Sequence, residues 1–239
     1  MNIQNQPALK AIVELRQNMQ KSRVAFGNRF SAITRGDDED VQVTDEKNSL
    51  FILGKFATDF HVLEEKLDKF MYDQVKHEPI IKALTSVKGI GPIIATKIAM
   101  EIDITRAETV SSLWRFAGQA VFEGKAERRV KGVKLAYNSA LKVLMFILAD
   151  SFIKTNSPYR AIYDKAKLEY QVSRPDWTKM HIHMAARRKM IKLFLSHLYQ
   201  VWRKIEGLPT RDPYVIDHTE HTTLITPEEF GWVVPIGSK

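Results

Sequence analysis

The sequence has no cysteine, which removes disulfides and thiolate metal sites and fits an intracellular chain. Nor has it a long apolar run. The longest, Ala140 to Ala149, is broken by Lys142 and falls far short of the roughly 20 residues a membrane-spanning helix requires. The opening residues, Met-Asn-Ile-Gln-Asn-Gln-Pro, lack the charged-then-apolar order of a secretion signal. No phosphate loop of the nucleotide-hydrolase type, no dinucleotide fingerprint and no internal repeat is present, and no region is rich in strand patterns beyond one short hairpin. These absences leave a soluble, cytoplasmic, all-α protein without a cofactor and without membrane contact.

Metal chemistry finds little support. His181 and His183 are two apart on one helix and so face different directions, whereas a shared ion needs spacing of four. The four carboxylates of Asp37-Asp38-Glu39-Asp40 sit beside Gly36 in a stretch that reads as a solvated loop. Asp59, Glu64 and Glu65 read as salt-bridge partners on a helix surface. No metal ligand is assigned.

What is present is positive charge in one place. The total is +8, but residues 1–80 hold 11 Lys/Arg against 13 Asp/Glu, residues 81–214 hold 24 against 11, and residues 215–239 hold 1 against 4. The middle of the chain therefore carries nearly all of the positive field, which attracts polyanions, nucleic acid first.

Within that middle stands Leu84-Thr-Ser-Val-Lys-Gly-Ile-Gly-Pro-Ile-Ile-Ala-Thr-Lys-Ile-Ala-Met-Glu-Ile102. A short apolar helix ends at Val87, Gly89 and Gly91 flank Ile90 in a tight turn, and a second helix opens at Pro92, which needs no N–H partner at the first helical position. The glycines permit positive φ and close approach of the backbone to another surface. The N–H groups of the turn and of the new helix favour a phosphate. Ile90 anchors the turn in the core; Lys88, Thr96 and Lys97 flank it. This is the helix-hairpin-helix pattern of proteins that grip nucleic-acid backbone. The alternative is a plain corner that needs glycine for geometry alone.

Periodicity places a helix from Pro7 to Ile33 and another from about Asp45 to Lys76, the second with Leu50, Leu53, Ala57, Phe60, Leu67 and Met71 on one stripe that Glu64 interrupts. Together they form a helical hairpin over 1–78, either the surface through which two protomers meet or a face packed on the same chain. His77-Glu78-Pro79 marks the boundary with a domain over 79–214. A short helix spans Glu108 to Ala117. Gly118 to Gly132 reads as a loop or small β-hairpin whose basic residues Lys125, Arg128, Arg129 and Lys131, with Lys134, would lie near the phosphate site. Lys134 to Lys154 is apolar almost all round and is expected to be the buried central helix. Ser157 and Pro158 cap the next helix, and Asp176 caps the last, Trp177 to Ile205, with Arg187, Arg188, Lys189, Lys192, Arg203 and Lys204 on its outer side. The remainder, 215–239, is an acidic tail with one turn at Thr226-Pro227-Glu228-Glu229.

The middle of the chain resembles the C-terminal domain of bridge-RNA-guided insertion-sequence transposases. The resemblance rests on Leu84, Gly89-Ile90-Gly91-Pro92 and Ala95, then Ala117-Gly118, then Asn138 with Leu141 and Lys142, then Tyr159 and Tyr163, then Ala185 with Arg187, Arg188 and Lys189. It covers about residues 80–206. It implies a nucleic-acid-binding domain of a phage or other mobile element, DNA before RNA. The family's carboxylate domain has no counterpart in residues 1–80, and its catalytic serine is replaced by Phe122-Glu123-Gly124. The resemblance therefore implies a stand-alone relative that binds nucleic acid without recombination; with the N-terminal helical hairpin as its dimer surface, the chain is expected to be a homodimer that binds DNA without catalysis. The alternatives are a recombinase or nuclease that takes a catalytic group from a partner, and an RNA-binding or virion module.

Overall fold

The computed structural model describes residues 7–34, 45–122, 124–127, 131–210 and 226–234. The chain is all-α, and it divides into two compact units after Val75. The acidic stretch Asp37–Asp40 and the basic residues Arg128 and Arg129 lie outside the described residues, as does the Lys125 side chain.

The first unit is a pair of long helices, α1 (Pro7–Thr34) and α2 (Asp45–Val75). Their contacts pair low numbers with high ones, so the helices run antiparallel. Arg16 Nε donates to Asp68 Oδ1 at 2.8 Å, Arg23 Nε to Glu64 Oε1 at 2.8 Å, and Phe26 stacks on Phe60 at 5.8 Å. Glu64 is only 2% exposed, so it is a buried carboxylate between Arg23 and Arg16 and not the surface residue expected from spacing. Its hydrogen bond to Arg23 raises that guanidinium further above its ordinary value. The expected stripe is turned inward at Phe60 and Met71, while Leu50 and Leu53 have side chains outside the described set. A different set is left open: Ile52, Phe56, Leu63 and Phe70 are 45–50% exposed, at spacings of four and seven that keep them on one helix face.

The second unit holds α3 (Pro79–Ser86), α4 (Pro92–Glu101), α5 (Val110–Phe116), α6 (Ser139–Lys154), α7 (Tyr159–Ser173) and α8 (Lys179–Ile205). A two-residue antiparallel ladder, Val121–Phe122 with Lys125–Ala126, turns at Gly124. Helix starts follow local chemistry: proline opens α3 and α4, Asn138 Oδ1 accepts from Leu141 N at 3.1 Å, and Thr109 forms a reciprocal cap with Ser112. Two expected caps moved. Thr178, not Asp176, caps α8, and Ser157 is buried with no partner for its hydroxyl among the described residues while Pro158 precedes α7.

The central helix is α8 and not α6. Phe194 to Tyr199 are buried without a break, and Val201, Trp202 and Arg203 extend the covered surface. In α6, Val143, Phe146 and Ile147 are 45–59% exposed, which corrects the expected all-round burial. Segments from elsewhere in the chain are tied onto α8: Trp114 Nε1 donates to Lys192 O at 2.9 Å, Tyr199 Oη to Glu108 O at 2.8 Å, and buried Arg203 to Ala107 O at 2.8 Å. Arg203 is thus a structural residue and not part of an outer basic face.

The core is aromatic. Phe152 stacks on Tyr159 at 4.8 Å, and Phe194 meets both edge-on. Such pairs add about 0.5–1.5 kcal/mol each beyond burial. The acidic tail contributes here: Phe230 and Trp232 are 7% and 2% exposed, and Trp232 Nε1 donates to Tyr159 Oη at 2.7 Å. Tyr159 Oη also lies 2.7 Å from His197 Nδ1, within hydrogen-bond distance. Burial pushes the Tyr159 phenol above its ordinary range.

Candidate nucleic-acid interface

The turn between α3 and α4 is built by local bonds and seated on α6. Val87 N donates to Leu84 O and Ile90 N to Val87 O, closing α3 and folding the chain back. Gly89 has φ +99°, and a Cβ there would lie 2.8 Å from Thr155 Oγ1 and 2.9 Å from Phe152 Cδ1. Its carbonyl accepts from Ser151 Oγ at 2.6 Å. Gly89 is therefore demanded by packing inside the protein. Gly91 differs: its φ is −81° and nothing lies within 4 Å of its absent Cβ, so it needs no positive φ, contrary to the expectation from sequence. Its backbone is open for another molecule to approach.

Ile90 is 5% exposed and anchors the turn, as its place between the glycines implied. The first intrahelical bond of α4 runs from Ala95 N to Gly91 O at 3.0 Å. The N–H groups of Gly91, Ile93 and Ile94 take no acceptor among the described residues, and no side chain caps the helix. With the helix dipole behind them, these three donors form the positive end of α4. Lys88 is exposed beside the turn, and Lys97 is half-buried one turn and a half into α4. Thr96 is fully buried and donates to Pro92 O at 2.8 Å, so its hydroxyl is turned away from this site. Lys131 and Lys134 are exposed in the segment leading to α6.

Asn138 links this site to the next segment. While capping α6 it donates from Nδ2 to Glu101 Oε2 at 2.7 Å, and its N–H donates to Phe116 O at 2.8 Å, joining the ends of α4 and α5 to the start of α6. Gly118, at φ +66°, lets the Lys142 stem lie against the backbone, where a Cβ would come within 2.8 Å of Cδ. Glu101 is thus a structural acceptor. Among the described residues no group of three or more His, Asp or Glu side chains could hold a metal ion. His181 stacks on Trp177 at 3.9 Å while His183 bonds to Tyr163 at 2.8 Å, so the two point apart as their spacing demands.

Sequence reasoning missed one cluster, because its members are far apart in the chain. Lys142 on α6 and Arg188 on α8 line the same groove, with Phe146 and Arg187 between them. Arg187 is 5% exposed, pairs with Asp150 at 3.0 Å and donates to Phe146 O, so it clamps α6 to α8. A run of Arg-Arg-Lys on one helix gives no sign that its first member faces inward.

No helix among the described residues is long and apolar enough to cross a membrane. No curated protein and no solved structure matches the chain. Residues 81–164 match the model of the transposase IS116/IS110/IS902 family, a stretch that runs from α3 into α7 and includes the open turn, Asn138 and all of α6; over those residues the chain is similar to that transposase family.

Proposed function

We propose that this chain is a nucleic-acid-binding protein of a phage or other mobile element, a homodimer that grips DNA backbone through a helix-hairpin-helix formed by α3 and α4. The observation that carries the reading is the open N-terminus of α4, where three backbone donors without acceptors among the described residues stand next to exposed Lys88. Similarity to a transposase family supports a polyanionic partner, as does the concentration of positive charge in residues 81–214. Backbone amides and lysines hold phosphate and carry no base information, so the grip is independent of sequence. Lys97, Lys131 and Lys134, with the basic loop of Lys125, Arg128 and Arg129, extend it along the strand. Dimerisation is assigned to the exposed face of α2 at Ile52, Phe56, Leu63 and Phe70. The chain itself neither cuts nor joins DNA in this reading. A second reading, a transposase-type enzyme completed by a partner, is favoured by the family match and would show itself as nicking of supercoiled plasmid.

Lys88→Ala tests the grip. The variant is expected to bind all duplex sequences more weakly and to lower the slope of log affinity against log salt by about one unit. Binding equal to wild type across the salt range would reduce the turn to a structural corner.

A further inference from the structure

The groove between α6 and α8 has a volume of about 260 Å³ and is lined by Gln119, Lys142, Phe146, Met184, Arg187 and Arg188 among others. The volume lies just under the roughly 300–1,000 Å³ of pockets for drug-sized molecules, which suits one flat ring with an attached anion.

Its lining has two parts. One is apolar and open: Phe146 is 45% exposed and Met184 36%, although both sit on helices whose other faces form the core. Arg187 lies 3.8 Å over the Phe146 ring, held by Asp150, so one ring face is covered and its orientation is set. The rest of that ring lines the groove.

The other part is cationic and unneutralised. Arg188 has no hydrogen-bond acceptor and no carboxylate partner among the described residues. Lys192, one turn further along α8, has its ammonium 4.8 Å over the Trp114 ring and no carboxylate partner among those residues. Burial pushes both groups below their ordinary values, and for Lys192 the charge of Arg188 adds to the effect. Across the groove, Lys142 donates to Glu127 O at 3.1 Å and its ammonium lies 4.1 Å over the Tyr137 ring, so it is already held by the protein. Like charges half withdrawn from water without a counter-ion are costly, and an anion between them removes that cost.

We infer that this groove receives one unpaired nucleotide of a nucleic-acid strand, its base against Phe146 and Met184 and its phosphate on Arg188. A fully paired duplex keeps its bases stacked inside and could offer this groove only phosphate, leaving the apolar wall exposed. An extrahelical or single-stranded nucleotide offers both. The inference rests on the proposed grip of nucleic acid and adds to it a preference for structure over sequence.

The test compares full-length protein binding to two duplexes of the same sequence, one fully paired and one carrying a single unpaired 2-aminopurine. Wild type is expected to bind the second about tenfold more tightly and to quench the 2-aminopurine fluorescence. Phe146→Ala should abolish both effects while leaving affinity for the paired duplex unchanged. Val143→Glu, at a position 59% exposed and on the groove rim, should do the same by adding a carboxylate. Circular dichroism of each variant checks that the fold is retained. Equal wild-type binding to both duplexes overturns the groove and leaves the backbone grip standing; binding to neither overturns both. A preference that survives both substitutions overturns the groove, as does saturable binding of a free nucleoside monophosphate without preference between duplexes.

Discussion

In α1 and α2, Phe56, Leu63 and Phe70 are about half exposed, and the described polar contacts between the two helices are ion pairs such as Arg23 with Glu64. In the unit from α3 onward, Phe152, Tyr159 and Phe194 are wholly buried, and buried donors such as Trp232 Nε1 meet acceptors far away in sequence. Two helices cannot cover one another on more than one face each, so a long helical pair keeps an open side, and on α2 the residues Ile52, Phe56, Leu63 and Phe70 make that side apolar. Five helices around α8 can close a core. The difference teaches where substitutions should act: on folding in the second unit, on association in the first.

The largest break in that contrast is Phe194→Ala. The residue is fully buried against Phe152, Tyr159 and Trp232, and its loss is expected to lower stability by about 3–5 kcal/mol, read as a shifted midpoint in denaturant. Retention of the wild-type midpoint would remove the aromatic cluster from its place as the core.

A double substitution Phe56→Glu with Leu63→Glu should leave helicity unchanged and convert a dimer into a monomer in light scattering. Without a second binding site engaged, nucleic-acid affinity should fall roughly 10²-fold, equivalent to about 2.7 kcal/mol. A monomeric wild type would end the assignment of this face to dimerisation.

The smallest effect is a pH dependence. His183 Nδ1 lies 2.8 Å from Tyr163 Oη, and its Nε2 faces Arg187 Nη1 at 3.3 Å. Partial burial first, then the charges of Arg187 and Lys167, hold the imidazole below its ordinary value, with Asp150 opposing. The unfolded chain therefore takes up the proton before the folded one does. Stability from this group is complete above the ordinary histidine value near 6.5 and declines as pH falls below it. His183→Gln should flatten that part of the stability–pH curve; a steeper curve in the variant would contradict the geometry.

Some of this was legible from residues alone because the cause is local. Pro92 opens a helix, and Gly89-Ile90-Gly91 turns the chain with Ile90 inward, through interactions spanning a few residues. The all-α class follows from periodicity over long segments. The candidate turn was visible for the same reason, although its two glycines do different work: only Gly89, packed on Phe152 and Thr155, needs a positive φ.

What tertiary structure alone decided is which long apolar helix lies at the centre and which charges are neutralised. The sequence of α6 is the more apolar, yet α8 is central, because Arg187, His197 and Arg203 find Asp150, Tyr159 and the Ala107 carbonyl only once distant segments are in place. Trp232 joins the core through a bond to Tyr159 that crosses 73 positions of chain. Lys142 and Arg188 face one groove from two helices, where the first donates to a carbonyl and the second has no acceptor among the described residues. Charge and hydropathy are properties of a residue, whereas burial and compensation belong to its neighbours, and neighbours this far apart meet only in the folded chain.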